Sequence, residues 1–206
     1  MAHGRRLDLS RHLRHQGDFA LLSTRLTSHG DELEELELGQ NELGDAGVAA
    51  VFNTFRQPFV CIRLRRLSLA RNSIGDRGAT AIAEHLANLN SLEELDLQYN
   101  QIADAGAASL SHALKQSTRL SNINLRNNSI GRAGAESLAA AVAENPTIQA
   151  LDLRNCLIEE AELQALLPLE MWEAARELAT KLASQKRDDA SALGGELATS
   201  ARVVAG

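Results

Sequence analysis

Residues 92–100 read LEELDLQYN, and residues 101–119, QIADAGAASLSHALKQSTR, complete a tile of 28 residues. Near-copies begin at Leu33 (LEELELGQN), Leu64 (LRRLSLARN), Leu120 (LSNINLRNN) and Ile148 (IQALDLRNC). Asn41, Asn72, Asn100 and Asn128 stand 31, 28 and 28 residues apart, and Cys156 takes the slot after another 28. A fixed period of this size marks a solenoid, in which each unit buries a face that only its neighbours complete.

Within a tile the pattern LxxLxL alternates apolar and polar, as a half-buried strand does. Leu36 and Leu38, Leu67 and Leu69, Leu95 and Leu97, Ile123 and Leu125, and Leu151 and Leu153 are expected to point inward. Glu35 and Glu37, Arg66 and Ser68, Glu94 and Asp96, Asn122 and Asn124, and Ala150 and Asp152 then point outward. Strands repeating in one direction form a parallel sheet. The asparagine ends each strand, where its amide can donate and accept for backbone groups leaving the ladder.

A G-D-A/R-G turn or a close variant follows. Asp45, Asp76 and Asp104 fall where a helix N-cap is expected, and Gly47, Gly78 and Gly106 allow close packing. Helical spacing follows at Val48, Val51, Phe52 and Phe55; Ile82, Leu86 and Leu89; Leu110 and Leu114; and Leu138 and Val142. Arg132 replaces the aspartate in the fourth tile, which predicts the loss of a cap worth about 1 kcal/mol. The first tile's three extra residues fall in 56–63, where Pro58 is expected to end the helix and Phe59 to be either buried or a second contact.

Residues 1–32 read as a degenerate N-terminal capping repeat: Leu7-Asp8-Leu9 matches the tile's LxL, and Asp18 precedes a helical spacing of Phe19, Leu22 and Leu26. Tiles occupy 33–158. Residues 159–187 carry helical spacing through Leu163, Leu166, Leu167, Met171, Trp172, Ala175, Leu178 and Leu182, interrupted at Pro168, and read as a C-terminal capping helix. The stretch 188–206 is small, polar and Gly-containing, and reads as a flexible tail.

The tile LxxLxLxxNxIGDAGAxxLAxAL resembles the leucine-rich repeat, in its ribonuclease-inhibitor-like subclass, over about residues 33–167. That resemblance implies an α/β class fold: a curved solenoid with parallel strands concave, helices convex and caps at both ends. It also implies protein–protein recognition through the concave face and the strand-exit loops.

Composition narrows the function. The chain has 206 residues, 21 basic against 27 acidic, and a net charge of −6, which disfavours a nucleic-acid surface. No apolar run is long enough to span a membrane, and the Arg-rich start has no secretory apolar core, although an organelle-targeting segment stays open. Cys61 and Cys156 suggest buried thiols in a reducing compartment. The six histidines lack ligand spacing, and no GxSxG, P-loop or HExxH motif occurs, so no catalytic residue, metal, cofactor or small-molecule substrate is expected. The chain reads as a cytoplasmic, non-catalytic scaffold in a multiprotein, cytoskeletal or other assembly, with protein partners and neither nucleic acid nor membrane.

For the binding surface, Glu35, Arg66 and Glu94 on neighbouring strands are expected to satisfy one another. Tyr99, the only tyrosine, occupies a strand-exit position with an arginine in each adjacent tile. Tyr and Arg dominate interface hot spots, so the expected patch is Tyr99, Arg71 and Arg126, ringed by Glu94, Asp96 and Asn127. The alternative is a GTPase activator resembling the Ran-specific family, with Arg71, Arg126 or Asn127 supplied to a GTPase; the chain lacks that family's length and long acidic tail. A ribonuclease inhibitor fits less well, because two cysteines and a mixed-charge face depart from that pattern.

Overall fold

The computed structural model describes residues 6–13, 22, 26, 32–55, 63–86, 88–168, 170, 171, 173–175, 177 and 180. Strands β1 (Arg6–Asp8), β2 (Glu35–Glu37), β3 (Arg66–Ser68), β4 (Glu94–Asp96), β5 (Asn122–Asn124) and β6 (Ala150–Asp152) form one parallel sheet in sequence order. Helices α1 (Gly44–Phe55), α2 (Asp76–Leu86), α3 (Asp104–Gln116), α4 (Arg132–Glu144) and the short α5 (Glu160–Leu166) follow β2 to β6. Each strand pairs with the next without slip: Leu7, Leu36, Leu67, Leu95, Ile123 and Leu151 are successive Cα partners. Strands spaced about 4.8 Å apart on one side, against helices needing about 8–10 Å on the other, bend the stack into a curved α/β solenoid.

The inward leucines do what their alternation predicts. Leu36, Leu38, Leu67, Leu69, Leu95, Leu97, Ile123, Leu125, Leu151 and Leu153 are all buried, joined by Val48, Phe52, Ile82, Leu110 and Leu138 from the helices. Leu22 and Leu26 are helical and buried, and β1 extends the sheet ahead of the first full tile. Met171 and Ala175, beyond α5, are buried as well. The expectations for Asp18, Phe19, Pro58, Phe59, Cys61, Trp172, Leu178, Leu182 and the 188–206 tail lie outside the described residues.

The asparagines form a buried ladder that stitches each tile to the one before it. Asn72 Oδ1 accepts from the N–H groups of Asn41 (3.0 Å) and Leu43 (3.3 Å), and its Nδ2 donates to the carbonyls of Leu38 (2.9 Å) and Ala70 (3.2 Å). Asn100 repeats this one tile on, and Asn41 and Asn128 make the corresponding bonds at their own steps. Cys156 continues the ladder with a single weak donation from Sγ to the Leu125 carbonyl at 3.4 Å. Burial pushes its thiol pKa up, consistent with an inert neutral side chain.

The aspartates act one tile away from where their sequence position suggests. Asp104 is the first residue of α3, whose N-cap, Ala103, makes no side-chain cap bond. Each carboxylate instead caps the helix of the following tile. Asp45 Oδ1 accepts from the Gly75 and Gly78 N–H groups (2.7 and 2.9 Å), Asp76 Oδ1 from Ala103 and Gly106 (2.7 and 2.9 Å), and Asp104 Oδ1 from Gly131 and Gly134 (2.7 and 3.0 Å). The glycines are therefore dictated by the preceding aspartate. A Cβ at Gly78, Gly106 or Gly134 would lie 2.6 Å from that carboxylate oxygen.

Arg132 changes meaning on the same geometry. The position it would cap carries Glu162 in place of glycine, and Arg132 Nη1 donates to Glu162 Oε1 at 3.0 Å while its Nε donates to Glu136 Oε1 at 2.8 Å. An aspartate–glycine cap has become an arginine–glutamate ion pair, so the expected cap loss is replaced at the entrance to α5.

Candidate protein-binding surface

The concave face is built from the outward strand positions and the residues that follow them. The first row is an ion ladder: Arg66 reaches Glu35 and Glu94, both at 3.1 Å, and Arg6 lies 3.8 Å from Glu35. The expected mutual satisfaction of Glu35, Arg66 and Glu94 is what the geometry shows. The row ends in Asn122 and Ala150.

The second row makes turns. Asp8, Asp96, Asn124 and Asp152 each accept, through Oδ1, the N–H two residues ahead, from Ser10, Gln98, Arg126 and Arg154. Such Asx turns steer the chain out of the strand. Asp96 also takes Gln98 Nε2 on Oδ2 at 3.0 Å, and Asp152 holds the Arg154 fork at 2.8 and 2.6 Å. Three of the positions expected to face outward are in fact buried: Ser68, Ala150 and Asp152. Asp152 is covered by the Arg154 guanidinium it binds, Ser68 is a short side chain between Glu37 and Asp96, and Ala150 sits beside Asn122.

The exit row is the least expected feature. Arg11, Gln40, Arg71, Tyr99, Asn127 and Asn155 all have positive φ, between 56° and 65°. The first five are fixed there by backbone bonds into the next tile, such as Arg71 N–H to the Gln98 carbonyl (3.0 Å) and Tyr99 N–H to the Arg126 carbonyl (2.9 Å). The left-handed region costs most side-chain-bearing residues about 1–2 kcal/mol, less for asparagine, and glycine avoids it. Yet none of the six is glycine, and their side chains line up along the rim. Arg11 Nε donates to Gln40 Oε1 at 2.6 Å, the Arg71 guanidinium lies 3.8 Å from the Tyr99 ring centroid, and Asn155 Nδ2 donates to Asn127 Oδ1 at 3.2 Å.

The structure therefore brings Tyr99 and Arg71 into direct contact and sets Arg126 and Asn127 beside them, while Glu94 and Asp96 are engaged by Arg66 and Gln98. Tyr99 is 40% exposed; Leu157, 73% exposed, is the other exposed large apolar side chain among the described residues. Ser68 Oγ, Arg126 Nε and Asn127 Nδ2 are shielded from solvent and meet no hydrogen-bond partner among the described residues. Such groups each cost about 1–3 kcal/mol. Among the described residues no cluster of His, Cys, Asp or Glu is arranged to hold a metal, and no helix is long and apolar enough to cross a membrane.

At the strand entry a second cluster balances charge. Glu93 binds Arg65 at 2.7 Å and Arg119 at 3.2 Å, and the Arg65 hydrogen bond holds its carboxyl below the ordinary carboxylate value against the opposing effect of burial. A depressed folded pKa contributes stability that is present above the unfolded pKa and lost as pH falls through the folded one. Urea midpoints of wild type and Glu93→Gln are thus expected to differ at pH 7 and to converge as pH falls through the lowered pKa of Glu93; a gap that stays constant with pH would refute this account of Glu93.

The family profile described as "Leucine Rich repeat" matches residues 33–52, 60–83 and 88–111. These tiles are leucine-rich repeats. No curated protein matches the chain significantly. Among solved structures it is similar to "Leiomodin-1 Actin-Binding Site 2 (ABS2)", at 15% identity and a TM-score of 0.48, covering 89% of this chain and 88% of that one. It is also similar to an internalin C2 from Listeria monocytogenes, at 22% identity and a TM-score of 0.39, covering 66% of this chain and 58% of that one. The leucine-rich repeat frame accounts for the leucines, the asparagine ladder and the aspartate–glycine caps. The exit row, with the turn-forming second row behind it, is where side chains are free to differ between repeats.

Sequence reasoning missed the Asx turns that fix Gln98 and Arg154 in the rim. The signal was present as Asp or Asn two residues before each. It also passed over Leu157, an apolar side chain in a slot that is Glu42, Ser73, Gln101 and Ser129 in the other repeats.

Proposed function

We propose that this leucine-rich repeat protein is a non-catalytic protein–protein interaction scaffold that binds through its concave face and exit row, as a subunit of a larger assembly. One observation carries the reading. Six consecutive repeats hold side chains in a backbone region where glycine would be cheaper, and the central one is an exposed tyrosine stacked on an arginine. Strain kept at one aligned position points to use of the side chains rather than to the fold's needs. The convex helices α1 to α4, of 11 to 13 residues each, support a ribonuclease-inhibitor-like subclass.

The test is co-purification of the tagged chain with stoichiometric partners, followed by cross-linking to locate the contact and to show which assembly, a cytoskeletal one included, it enters. Tyr99→Gly separates stability from use. The glycine relieves the left-handed strain while the cation–π contact, worth about 0.5–1 kcal/mol, is lost, so the melting temperature is expected to move by only about 2 °C. Partner affinity is expected to fall about tenfold or more. Affinity held within a factor of two would move the binding surface elsewhere.

A further inference from the structure

The cations of the concave face fall into two sets. Arg6, Arg66 and Arg154 are neutralised within the face by Glu35, Glu94 and Asp152. Arg71 and Arg126, one repeat to either side of Tyr99, have no carboxylate partner among the described residues. Glu94 is paired with Arg66, and Asp96 accepts from both amide groups of Gln98. A chain of net charge −6 thus keeps two arginines without a carboxylate partner around its only tyrosine.

The unmet hydrogen-bonding demand has the same sign. Arg126 Nε and Asn127 Nδ2 are donors without acceptors, whereas Asn127 Oδ1 is already supplied by Asn155 Nδ2. The Arg126 side chain has no hydrogen-bond or ion-pair partner among the described residues, so its guanidinium can turn to an acceptor brought from outside. A carboxylate offers two coplanar acceptor oxygens that fit a guanidinium fork, and the Tyr99 ring beside it offers a flat apolar surface for the neighbouring residue.

We infer that the Arg71–Tyr99–Arg126 cluster is the docking point for an acidic segment of a partner protein. One carboxylate pairs with the Arg126 guanidinium once it turns outward, and the adjoining side chain packs on the Tyr99 ring. This rests on the exit row's being the binding surface, and it adds the chemistry of the occupant. Attraction between the two arginines and such a segment is short-ranged and makes binding weaken with salt.

The test uses a displayed library of random 12-residue linear peptides selected on the immobilised full chain, with enriched peptides synthesised and titrated. Enriched peptides are expected to carry Asp or Glu, and to bind Arg71→Gln and Arg126→Gln about tenfold more weakly. Arg77→Gln, on the convex helix α2, is expected to stay within twofold of wild type. Replacing the peptide's acid by its amide is expected to cost binding to wild type but little further binding to Arg126→Gln, which a merely structural role for Arg126 would not produce. Neutral or basic peptides that still depend on Tyr99 would overturn the acidic assignment and leave the surface standing. Peptides indifferent to Tyr99, Arg71 and Arg126, or no enrichment at all, would overturn both. A 12-nucleotide single-stranded DNA bound as tightly as the acidic peptide, with the same arginine dependence, would show a general polyanion site and also overturn the proposal.

Discussion

Asn100→Ala is expected to lower the stability of the array by about 4 kcal/mol or more, at the far end of single-substitution effects. The asparagine is buried between two repeats, and its Oδ1 is the acceptor for the Asn72 and Ile74 N–H groups at 2.9 and 3.1 Å. Alanine leaves both donors buried with nothing to meet. It also removes the donor to the Leu69 carbonyl (3.1 Å), whereas the Leu97 carbonyl keeps the Asn128 amide at 3.0 Å. Repeats contact only their neighbours, so breaking one step uncouples the units on its two sides. Urea unfolding should show a lower midpoint together with a shallower transition, as the two parts melt separately. Asn100→Asp keeps the acceptor and should lie between wild type and alanine. A loss below about 1 kcal/mol for alanine would mean that the ladder is not what holds the repeats together.

Gly106→Ala is the second large effect, although it adds only a methyl group at a helical position where alanine is otherwise preferred. The new Cβ would stand 2.6 Å from Asp76 Oδ1, 2.9 Å from Ile102 Cγ2 and 3.0 Å from Ala79 Cβ. Asp76 cannot swing aside without releasing the Ala103 and Gly106 N–H groups it caps, and Ala79 has no rotamer to change. Overpacking combined with a lost cap is expected to cost about 2–4 kcal/mol. The mechanism is checked by a double-mutant cycle in thermal or urea denaturation. Asp76→Ala alone loses the cap, but in that background Gly106→Ala should cost much less, or even stabilise through its helix propensity. Equal costs in both backgrounds would rule out the carboxylate as the reason for the glycine.

These two substitutions show where sequence reading stops. The period of 28, the LxL alternation and the asparagine spacing are local or periodic signals, and each survives into the structure because neighbouring repeats are nearly identical. A repeat that tells a reader its own strand and helix tells the same for all of them. The aspartate–glycine pairing was not legible in that way. Asp76 and Gly106 are 30 residues apart, and both look like ordinary parts of their own turns. The register of stacking places one repeat's carboxylate at the next repeat's helix start. The exchange of this pair for Arg132 and Glu162 reads as a lost cap until the neighbour is seen in space.

The candidate surface divides in the same manner. Tyr99, Arg71 and Arg126 were readable as rare interface-type residues at one repeat position, and the ion ladder through Arg66 followed from strand adjacency. That the exit positions are left-handed, that Asp96 and Glu94 are engaged inside the face, and that Arg126 and Asn127 keep unmet donors all depend on how side chains meet across repeats. By itself the sequence determined the solenoid, its parallel sheet and its leucine core, because periodic burial leaves one way to stack the units. Only the tertiary structure decided which polar groups satisfy one another and which are left over, because those pairings join residues about one period apart whose geometry no single repeat contains.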